Sequence, residues 1–166
     1  GVPETELWCA PDSGHPFFRE LAEEYSIGLR DQIGSDLGER MLFAVRAGLS
    51  HADHVILLGT VSPELIPGRI RLAAELLASG RDAVLGPAED GGYVLLGLSG
   101  LWEGLFRDMP WGTDRVLLET RRRLAGHGLF WDELPPCGDL DRPEDLRRLR
   151  VTNDPSIRKL LLDLSR

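Results

Sequence analysis

Short apolar runs alternate with longer amphipathic stretches along the 166 residues, and this alternation constrains the fold more than any other feature. Short apolar runs are typical of strands, whereas apolar residues three and four positions apart are typical of amphipathic helices. Strands that alternate with helices predict an α/β domain in which helices cover a sheet. The predicted strands are 6–10, 54–59, 83–85, 93–98 and 129–131, and the predicted helices are 15–25, 37–49, 63–79, 113–125, 143–149 and 155–164.

The run at 54–59, His-Val-Ile-Leu-Leu-Gly, is apolar at four successive positions, 55 to 58. A continuous apolar run predicts a strand that is buried on both faces, as in a parallel sheet.

Two helix ends also carry local signals. We expect Gly80 to end the third predicted helix, and Thr113 or Gly112 to cap the fourth.

Length and charge limit the classes of protein that the chain can belong to. Residues 1–166 fit a single domain. The 19 Lys and Arg residues against 27 Asp and Glu residues give a net charge of -8, which argues against nucleic acid as a partner. No apolar run approaches the roughly 20 residues of a membrane span, and the first residues lack the pattern of a signal peptide. We therefore expect a cytoplasmic protein, with Cys9 and Cys137 as small buried hydrophobes.

Three segments rich in glycine and acidic residues stand out, and we interpret them as lying at strand ends, where open α/β sheets bind their ligands. The first is Gln-Ile-Gly-Ser-Asp-Leu-Gly-Glu-Arg-Met at 32–41. In one interpretation Ser35 or Asp36 caps the next helix and Glu39 completes a capping box. In the other, the loop is a polar rim around a ligand, with Arg40 available for a phosphate or carboxylate.

The second segment, Gly-Pro-Ala-Glu-Asp-Gly-Gly-Tyr at 86–93, joins two apolar runs. Asp-Gly is a strong turn dipeptide, so a simple connecting turn is one interpretation. Two successive glycines also allow a ligand to approach the backbone closely. The carboxylates of Glu89 and Asp90 would then bind sugar hydroxyls or a metal.

The third segment, at 138–146, contains Asp139 and Asp141. In an extended segment these alternate side chains face the same way, which suits a hard divalent cation. Capping of the helix that begins near Pro143 is the other interpretation. Trp111 allows two interpretations as well, an apolar contact at a helix entry or the wall of a pocket.

Dinucleotide-binding, P-loop and nucleophile-elbow glycine motifs are all absent from the sequence, which removes support for those functions. Five other segments occur in a fixed order: Gln32–Met41, Leu57–Pro63, Gly86–Tyr93, Pro110–Thr113 and Asp139–Leu146. Together they resemble the DUF2064 group of glycosyltransferase-A-like proteins, some of which are described as radical-SAM/selenodomain-associated transferases. The resemblance spans nearly the whole chain.

The resemblance implies a nucleotide-diphospho-sugar transferase fold, a three-layer α/β/α arrangement around a mostly parallel sheet. It implies a nucleotide bound across the carboxyl ends of the strands together with a divalent cation, Mg²⁺ or Mn²⁺. The implied activity is that of a nucleotide-sugar-dependent glycosyltransferase or a nucleotidyltransferase-like enzyme. Because one fold hosts many reactions, the alternative is a non-catalytic nucleotide-binding, sugar-binding or scaffold protein.

The resemblance also implies roles for single residues. It gives catalytic roles to Asp90, Asp139 and Asp141, and it makes Asp139 and Asp141 metal ligands. The residues implied to bind substrate are Gln32, Asp36, Arg40, Glu89, Gly91, Gly92, Tyr93, Trp111 and Thr113.

The chain departs from the family pattern in two ways. Val61 stands where the family has an aspartate, and because its side chain cannot ligate a metal we expect cation binding to be weakened or lost. The family pattern also begins with a strand and a Pro-Gly-x-x-Lys-Thr-Arg-Leu loop, which residues 1–166 lack. Since that strand lies inside the related sheet, we expect upstream residues in the native product or a homodimer that covers the gap.

Overall fold

Helices and strands alternate along residues 4–60 and 67–137, which are the residues that the computed structural model describes. The strands are β1 Glu6–Cys9, β2 Gly28–Asp31, β3 Val55–Leu58, β4 Ala83–Pro87, β5 Tyr93–Leu98 and β6 Trp131–Glu133. The helices are α1 Pro16–Tyr25, α2 Leu37–Leu49, α3 Pro67–Ala78 and α4 Val116–Gly126, with a 3₁₀ turn at Glu103–Leu105. The predicted helices at 143–149 and 155–164 lie outside the described residues.

The described strands form two sheets. A four-stranded sheet has the order β3-β5-β4-β6, and a separate two-stranded sheet pairs β1 with β2 in parallel. Within the larger sheet β5 is antiparallel to both β3 and β4, whereas β4 is parallel to β6. Strands β3, β4 and β6 therefore run in one direction and β5 in the other.

Side chains alternate between the two faces of the larger sheet, and each face meets different helices. On one face Leu85 of β4 packs with residues of α2 and α4, including Val45 and Leu124. On the other face Val84 packs with Leu77 of α3. Because helices cover both faces, the predicted three-layer α/β/α architecture is confirmed. Each fully buried leucine of these cores contributes about 1.5–3 kcal/mol to stability.

Local signals set two helix ends, of which the sequence predicts the one at Gly80. Helix α1 follows His15, whose Nδ1 accepts a hydrogen bond from the backbone N–H of Phe17 at 3.2 Å. Gly80 follows α3 with φ +98°, a left-handed conformation that glycine adopts without strain. Among the described helices, none has the length and apolar character needed to cross a membrane.

Strand β3 differs from the prediction of burial on both faces. Three of its residues are half-buried, and Leu58 is 44% exposed. The reason is that β3 pairs with β5 on one edge, while its other edge has no partner among the described strands. An apolar run predicts that a strand forms, but it does not supply the neighbours that bury it.

Two further elements were not predicted correctly. Strand β2 was missed because its sequence, Gly-Leu-Arg-Asp, has a single apolar residue. Helix α4 begins at Val116 with Arg115 as its N-cap, so Thr113 and Gly112 do not cap it. Instead, the hydroxyl of Thr113 donates to the backbone oxygen of Pro110 at 2.8 Å and closes a turn before the helix.

Candidate functional site

The loop before α2 is organised by reciprocal capping. Asp36 has extended backbone angles, and its Oδ1 accepts a hydrogen bond from the N–H of Glu39 at 2.8 Å. Oε2 of Glu39 in turn accepts from both the N–H and the hydroxyl of Ser35 at 2.7 Å. These two hydrogen bonds lower the pKa of Glu39. The predicted capping role of this segment is therefore confirmed.

Two predicted ligand-binding residues near this loop bond to the protein itself. Nε of Arg40 donates to the backbone oxygen of Gly34 at 3.2 Å. The loop is tightly folded at Gly34. A Cβ at this position would lie only 2.6 Å from Cβ of Glu39. The side-chain amide of Gln32 donates to the backbone oxygen of Trp8 on β1 at 2.9 Å. Both side chains thus have an anchoring hydrogen bond in the structure.

The second predicted segment forms a tight turn between β4 and β5. The N–H of Ala88 donates to the backbone oxygen of Gly92 at 3.0 Å. Oδ1 of Asp90 accepts from the N–H of Gly92 at 2.8 Å. The side chains of Glu89 and Asp90 are exposed at the tip. The turn interpretation is confirmed, and it leaves two carboxylates exposed at one edge of the sheet.

This turn is attached to the start of α4. The backbone oxygen of Gly91 accepts from the N–H of Leu117 at 2.9 Å. It satisfies a first-turn donor of a helix whose N-cap residue, Arg115, makes no side-chain cap. The contact is close, since a Cβ on Gly91 would lie 2.3 Å from the oxygen of Asp114, and Gly91 has φ +89°. Glycine at this position therefore holds the turn against the helix.

Tyr93 lies in the core beneath the turn. Its ring packs against the buried cluster between the sheet and α4. Burial raises the pKa of the phenol, and its oxygen has a hydrogen bond with Thr120. The Thr120 hydroxyl also donates to the backbone oxygen of Val116 at 2.9 Å. The observed role of Tyr93 is thus to link β5 to α4.

Trp111 packs over the first turn of α2. A Cβ on Gly38 would lie 2.6 Å from Nε1 of Trp111 and 2.4 Å from the oxygen of Phe106. The same Cβ would lie 3.2 Å from Oδ1 of Asp36, so Asp36 and Trp111 meet around Gly38. Nε1 of Trp111 is buried and has no hydrogen-bond partner among the described residues.

The chain beyond β6 continues along β4 to the same turn. The N–H of Cys137 donates to the oxygen of Pro87 at 2.8 Å, and the N–H of Glu89 donates to the oxygen of Cys137 at 3.2 Å. From α3, Nη1 of Arg69 donates to the backbone oxygen of Pro135 and lies 3.0 Å from Sγ of Cys137. Cys137 is buried, as is Cys9, as the sequence predicts.

These contacts join three segments along one edge of the sheet. The stretch 110–114 connects the start of α2, through Trp111, to the turn, through Asp114 and Gly91. Cys137 lies beside Ala88 in an isolated parallel bridge on the other side of that turn. Sequence reasoning did not identify Asp114 or Arg69 as part of this edge. Arg69 carries no motif signal, and the contact of Asp114 depends on the position of a distant turn.

Metal ligands are not evident in the described part of the chain. Residues 4–60 and 67–137 contain no group of three or more His, Cys, Asp or Glu residues that could hold a metal ion. The predicted ligands Asp139 and Asp141 lie outside the described residues, as does Val61. The cation site therefore stays a prediction.

Comparisons with known proteins identify relatives. The DUF2064 family model, described as an uncharacterized protein conserved in bacteria, matches residues 1–113, more than half of the chain. The crystal structure of a putative nucleotide-diphospho-sugar transferase from Desulfovibrio desulfuricans G20 matches with a TM-score of 0.80 and 29% identity, over 92% of this chain and 68% of that chain. No curated protein matches. The chain therefore belongs to the DUF2064 family, and its α/β fold is similar to that of the Desulfovibrio transferase.

Proposed function

We propose that the protein is a transferase that binds a nucleotide sugar, or a nucleotide, at the edge of the sheet formed by the turn 88–92 and the start of α2. The contacts of residues 110–114 carry the proposal, because they join those two segments into one continuous rim. The similarity to the Desulfovibrio protein supports a transferase as the general class. Our first candidate is a glycosyltransferase. A nucleotidyltransferase-like enzyme would need the same binding site.

The turn 88–92 is suited to hold the sugar. It is anchored on one side by the hydrogen bond from Leu117 to Gly91, and on the other by the bond from Glu89 to Cys137. A turn held on both sides keeps its exposed carboxylates in place, which lowers the cost of ordering them on binding. Ionised carboxylates accept hydrogen bonds from sugar hydroxyls. We assign this role to Glu89 and Asp90, with Asp90 also as the candidate catalytic residue.

The start of α2 is suited to the other part of the substrate. Because Asp36 already caps this helix, the positive charge available to a phosphate here is the guanidinium of Arg40. We propose that Asp36, Arg40 and Gln32 line this side, with Arg40 turning from Gly34 to a phosphate. Trp111 and Thr113 close the rim between the two sides, beside Gly91 and Gly92.

For the cation, we propose Asp139 and Asp141 as ligands. Cys137 lies beside the turn, and these two aspartates are the acidic residues that follow it two and four positions later in the sequence. Carboxylate oxygens are the ligands that Mg²⁺ and Mn²⁺ prefer. A bound cation would neutralise charge on the diphosphate. Because Val61 offers no oxygen ligand from its side chain, we expect this affinity to be low.

The second candidate is a non-catalytic nucleotide- or sugar-binding protein on the same fold. Val61 favours it, and so do the internal hydrogen bonds of Arg40 and Gln32, which a phosphate would have to displace. A binding protein needs the rim but not the cation. The two candidates therefore differ in whether binding depends on metal and in whether a product forms.

Thermal unfolding of the complete gene product with nucleoside diphosphates and nucleotide sugars, each with and without Mg²⁺ or Mn²⁺, tests both candidates. A ligand at a hundredfold its Kd stabilises the folded state by about 2.7 kcal/mol. We expect Asp90→Asn and Asp139→Asn to reduce the shift. Asp53 is an exposed carboxylate before β3, and Asp53→Asn is the matched control, which should leave the thermal shift unchanged. A metal-independent shift favours the binding protein, and no shift with any nucleotide contradicts both candidates.

A further inference from the structure

The side chain of Arg123 on α4 joins this helix to residues 103–109, here called the connecting segment. Its Nη1 donates to the backbone oxygen of Gly104 at 2.7 Å and to that of Arg107. Its Nη2 donates to the backbone oxygen of Asp108 at 2.9 Å. Only 14% of the side chain is exposed, so it lies mostly within the protein. One guanidinium therefore holds three carbonyl groups of the connecting segment.

These carbonyl groups come at the end of a short helical turn. The 3₁₀ turn ends at Leu105, and Asp108 has φ +50°, a left-handed conformation in which the chain leaves the helical direction. Carbonyl groups at such an end lack the N–H groups of a following turn. Arginine side chains near a helix end can take the place of those donors. Arg123 does so from a different helix, and it thereby fixes the path of the backbone.

Arg123 is itself held in place by its own helix. Its Nε donates to Oε1 of Glu119, one turn earlier on α4, at 2.7 Å. The guanidinium is planar and its N–H groups point in fixed directions, so the bond at Nε orients Nη1 and Nη2 toward the connecting segment. A lysine has a single nitrogen and lacks this fork, so it cannot serve both sides in the same way.

The connecting segment also contacts α2. Phe106 is buried, and a Cβ on Gly38 of α2 would lie 2.4 Å from its backbone oxygen. The carboxylate of Glu103 accepts a hydrogen bond from Nη2 of Arg46 on α2 at 2.6 Å. The segment thus lies between two helices, and Arg123 supplies its attachment to α4.

The connecting segment leads directly to Trp111. The N–H of Trp111 donates to the backbone oxygen of Met109, the last residue of the segment, at 2.8 Å. Its ring nitrogen Nε1 is buried and has no hydrogen-bond partner among the described residues. In the part of the chain that the structure describes, no hydrogen bond therefore fixes the ring. Its position against Gly38 depends on packing and on the backbone that precedes it.

We propose that Arg123 is a positioning residue of the candidate site, which fixes the connecting segment so that Trp111 stays against the start of α2 and keeps the rim closed. Without its guanidinium, three carbonyl groups lose their donor and the segment can move, and Trp111 moves with it. Arg123 acts through the segment and not by contact with a ligand. Its effect on binding rests on the proposed function, whereas its effect on Trp111 is measured without any ligand.

NMR spectra of the indole N–H groups in the complete gene product test the effect on Trp111, whose signal is assigned by its loss in Trp111→Phe. We expect Arg123→Met to shift or broaden this signal, because the three carbonyl contacts are lost. Arg122→Met is the matched control and should leave the signal unchanged. Arg122 is 72% exposed and, among the residues that the structure describes, bonds only to Glu119, the carboxylate that also holds Arg123.

Binding measurements at a temperature where all variants are folded test the effect on the site. The probes are UDP, GDP, ADP, CDP and dTDP and their glucose conjugates, each with and without Mg²⁺ or Mn²⁺. Substitutions that touch no ligand change binding modestly when they act through packed segments. We expect Arg123→Met to raise the Kd of a probe that binds by about three- to tenfold, and Arg122→Met to leave it unchanged.

Three results overturn the proposal. One is a Trp111 signal in Arg123→Met that matches the signal of the unsubstituted protein. Another is an equal change of the signal in Arg122→Met, which would show a general effect of charge on α4. The last is a shifted Trp111 signal with an unchanged Kd, because the connecting segment would then not control the site.

Two further outcomes are also decisive. If no probe binds the unsubstituted product, the proposed function fails, and the Trp111 signal alone decides whether Arg123 positions the ring. If Arg123→Met does not fold, Arg123→Lys takes its place, since it keeps the charge but not the fork. A shifted Trp111 signal in this variant supports the proposal, and an unchanged signal overturns it.

Discussion

Strands β3 and β4 have similar apolar sequences but very different surroundings. All five residues of β4 are buried, whereas none of the four residues of β3 is. β4 has β5 and β6 as neighbours, and β3 has β5 alone among the described strands. The comparison separates what a sequence pattern determines from what a neighbour determines. Apolar residues favour a strand in both places, but burial depends on pairing along both edges.

The same contrast divides the molecule into a covered half and an open half. The covered half contains β4, β5 and α4 and supports the turn 88–92. The open half contains the β1–β2 pair and the free edge of β3. Most of the residues of β2 are exposed. We expect substitutions in the covered half to cost more stability, and the measurements below test that difference.

The largest expected effect compares Leu85→Ala on β4 with Leu58→Ala on β3. Leu85 is fully buried, so its loss leaves a cavity and should lower the free energy of unfolding by about 2–5 kcal/mol. Leu58 is partly exposed, and its loss should cost about 1 kcal/mol or less in residues 1–166. Urea unfolding followed by circular dichroism measures both. If both substitutions lower the free energy of unfolding of residues 1–166 equally, the division into a covered half and an open half is contradicted.

A smaller effect is expected where α2 meets Trp111. Gly38→Ala would place a Cβ 2.4 Å from the oxygen of Phe106 and should cost about 1–3 kcal/mol through overpacking. Gly126→Ala, at the end of α4, is the matched control, because a Cβ there meets nothing within 4 Å. It should be neutral or slightly stabilising. If the urea midpoints of the two variants change by the same amount, α2 and Trp111 are not in close contact.

Much of the fold could be predicted from the sequence because its signals are local. The bounds of α2, the turn at Asp90 and the capping by Asp36 each depend on residues within a few positions of one another. Strand β2 could not be predicted, since it forms by pairing with β1 and not through its own composition. The separation into two sheets depends on which strands pair with each other. The alternation of residues along a single strand does not encode that pairing.

The candidate site was predictable to a similar extent. Two of the segments that meet at the edge of the sheet, 32–41 and 86–93, were identified by their glycines and acids. The way they are joined was not, because Trp111, Gly38, Gly91 and Asp114 make contacts between distant parts of the chain. Tyr93 shows the limit clearly. Its position in a family motif gave no sign that its ring would lie in the core against Thr120.

A still smaller loss of stability is expected from Arg69→Met on α3. Arg69 holds the end of the β6 segment through Pro135 and Cys137, and loss of these hydrogen bonds should cost about 1 kcal/mol. We expect faster exchange of the Glu89 amide, which donates to Cys137. Arg71→Met, exposed on the same helix, is the control and should leave that amide unchanged. If both variants behave alike, Arg69 does not hold the segment.

The smallest effect concerns two carboxylates, Glu119 on α4 and Glu39 on α2, that accept hydrogen bonds from different groups. Hydrogen bonds from Arg122 and Arg123 lower the pKa of Glu119 on α4 to about 2, and those from Ser35 lower the pKa of Glu39 on α2. A carboxylate with a lowered pKa stabilises the folded state above its unfolded pKa, and this contribution is lost as the pH falls through the folded value. Glu39 is exposed and Glu119 is only partly buried, so salt screens the effect. In NMR titrations, Glu119→Gln should remove a transition near pH 2, and high salt should raise the midpoint of Glu119. A Glu119 midpoint at the ordinary glutamate value would show that its two arginine contacts do not persist in solution.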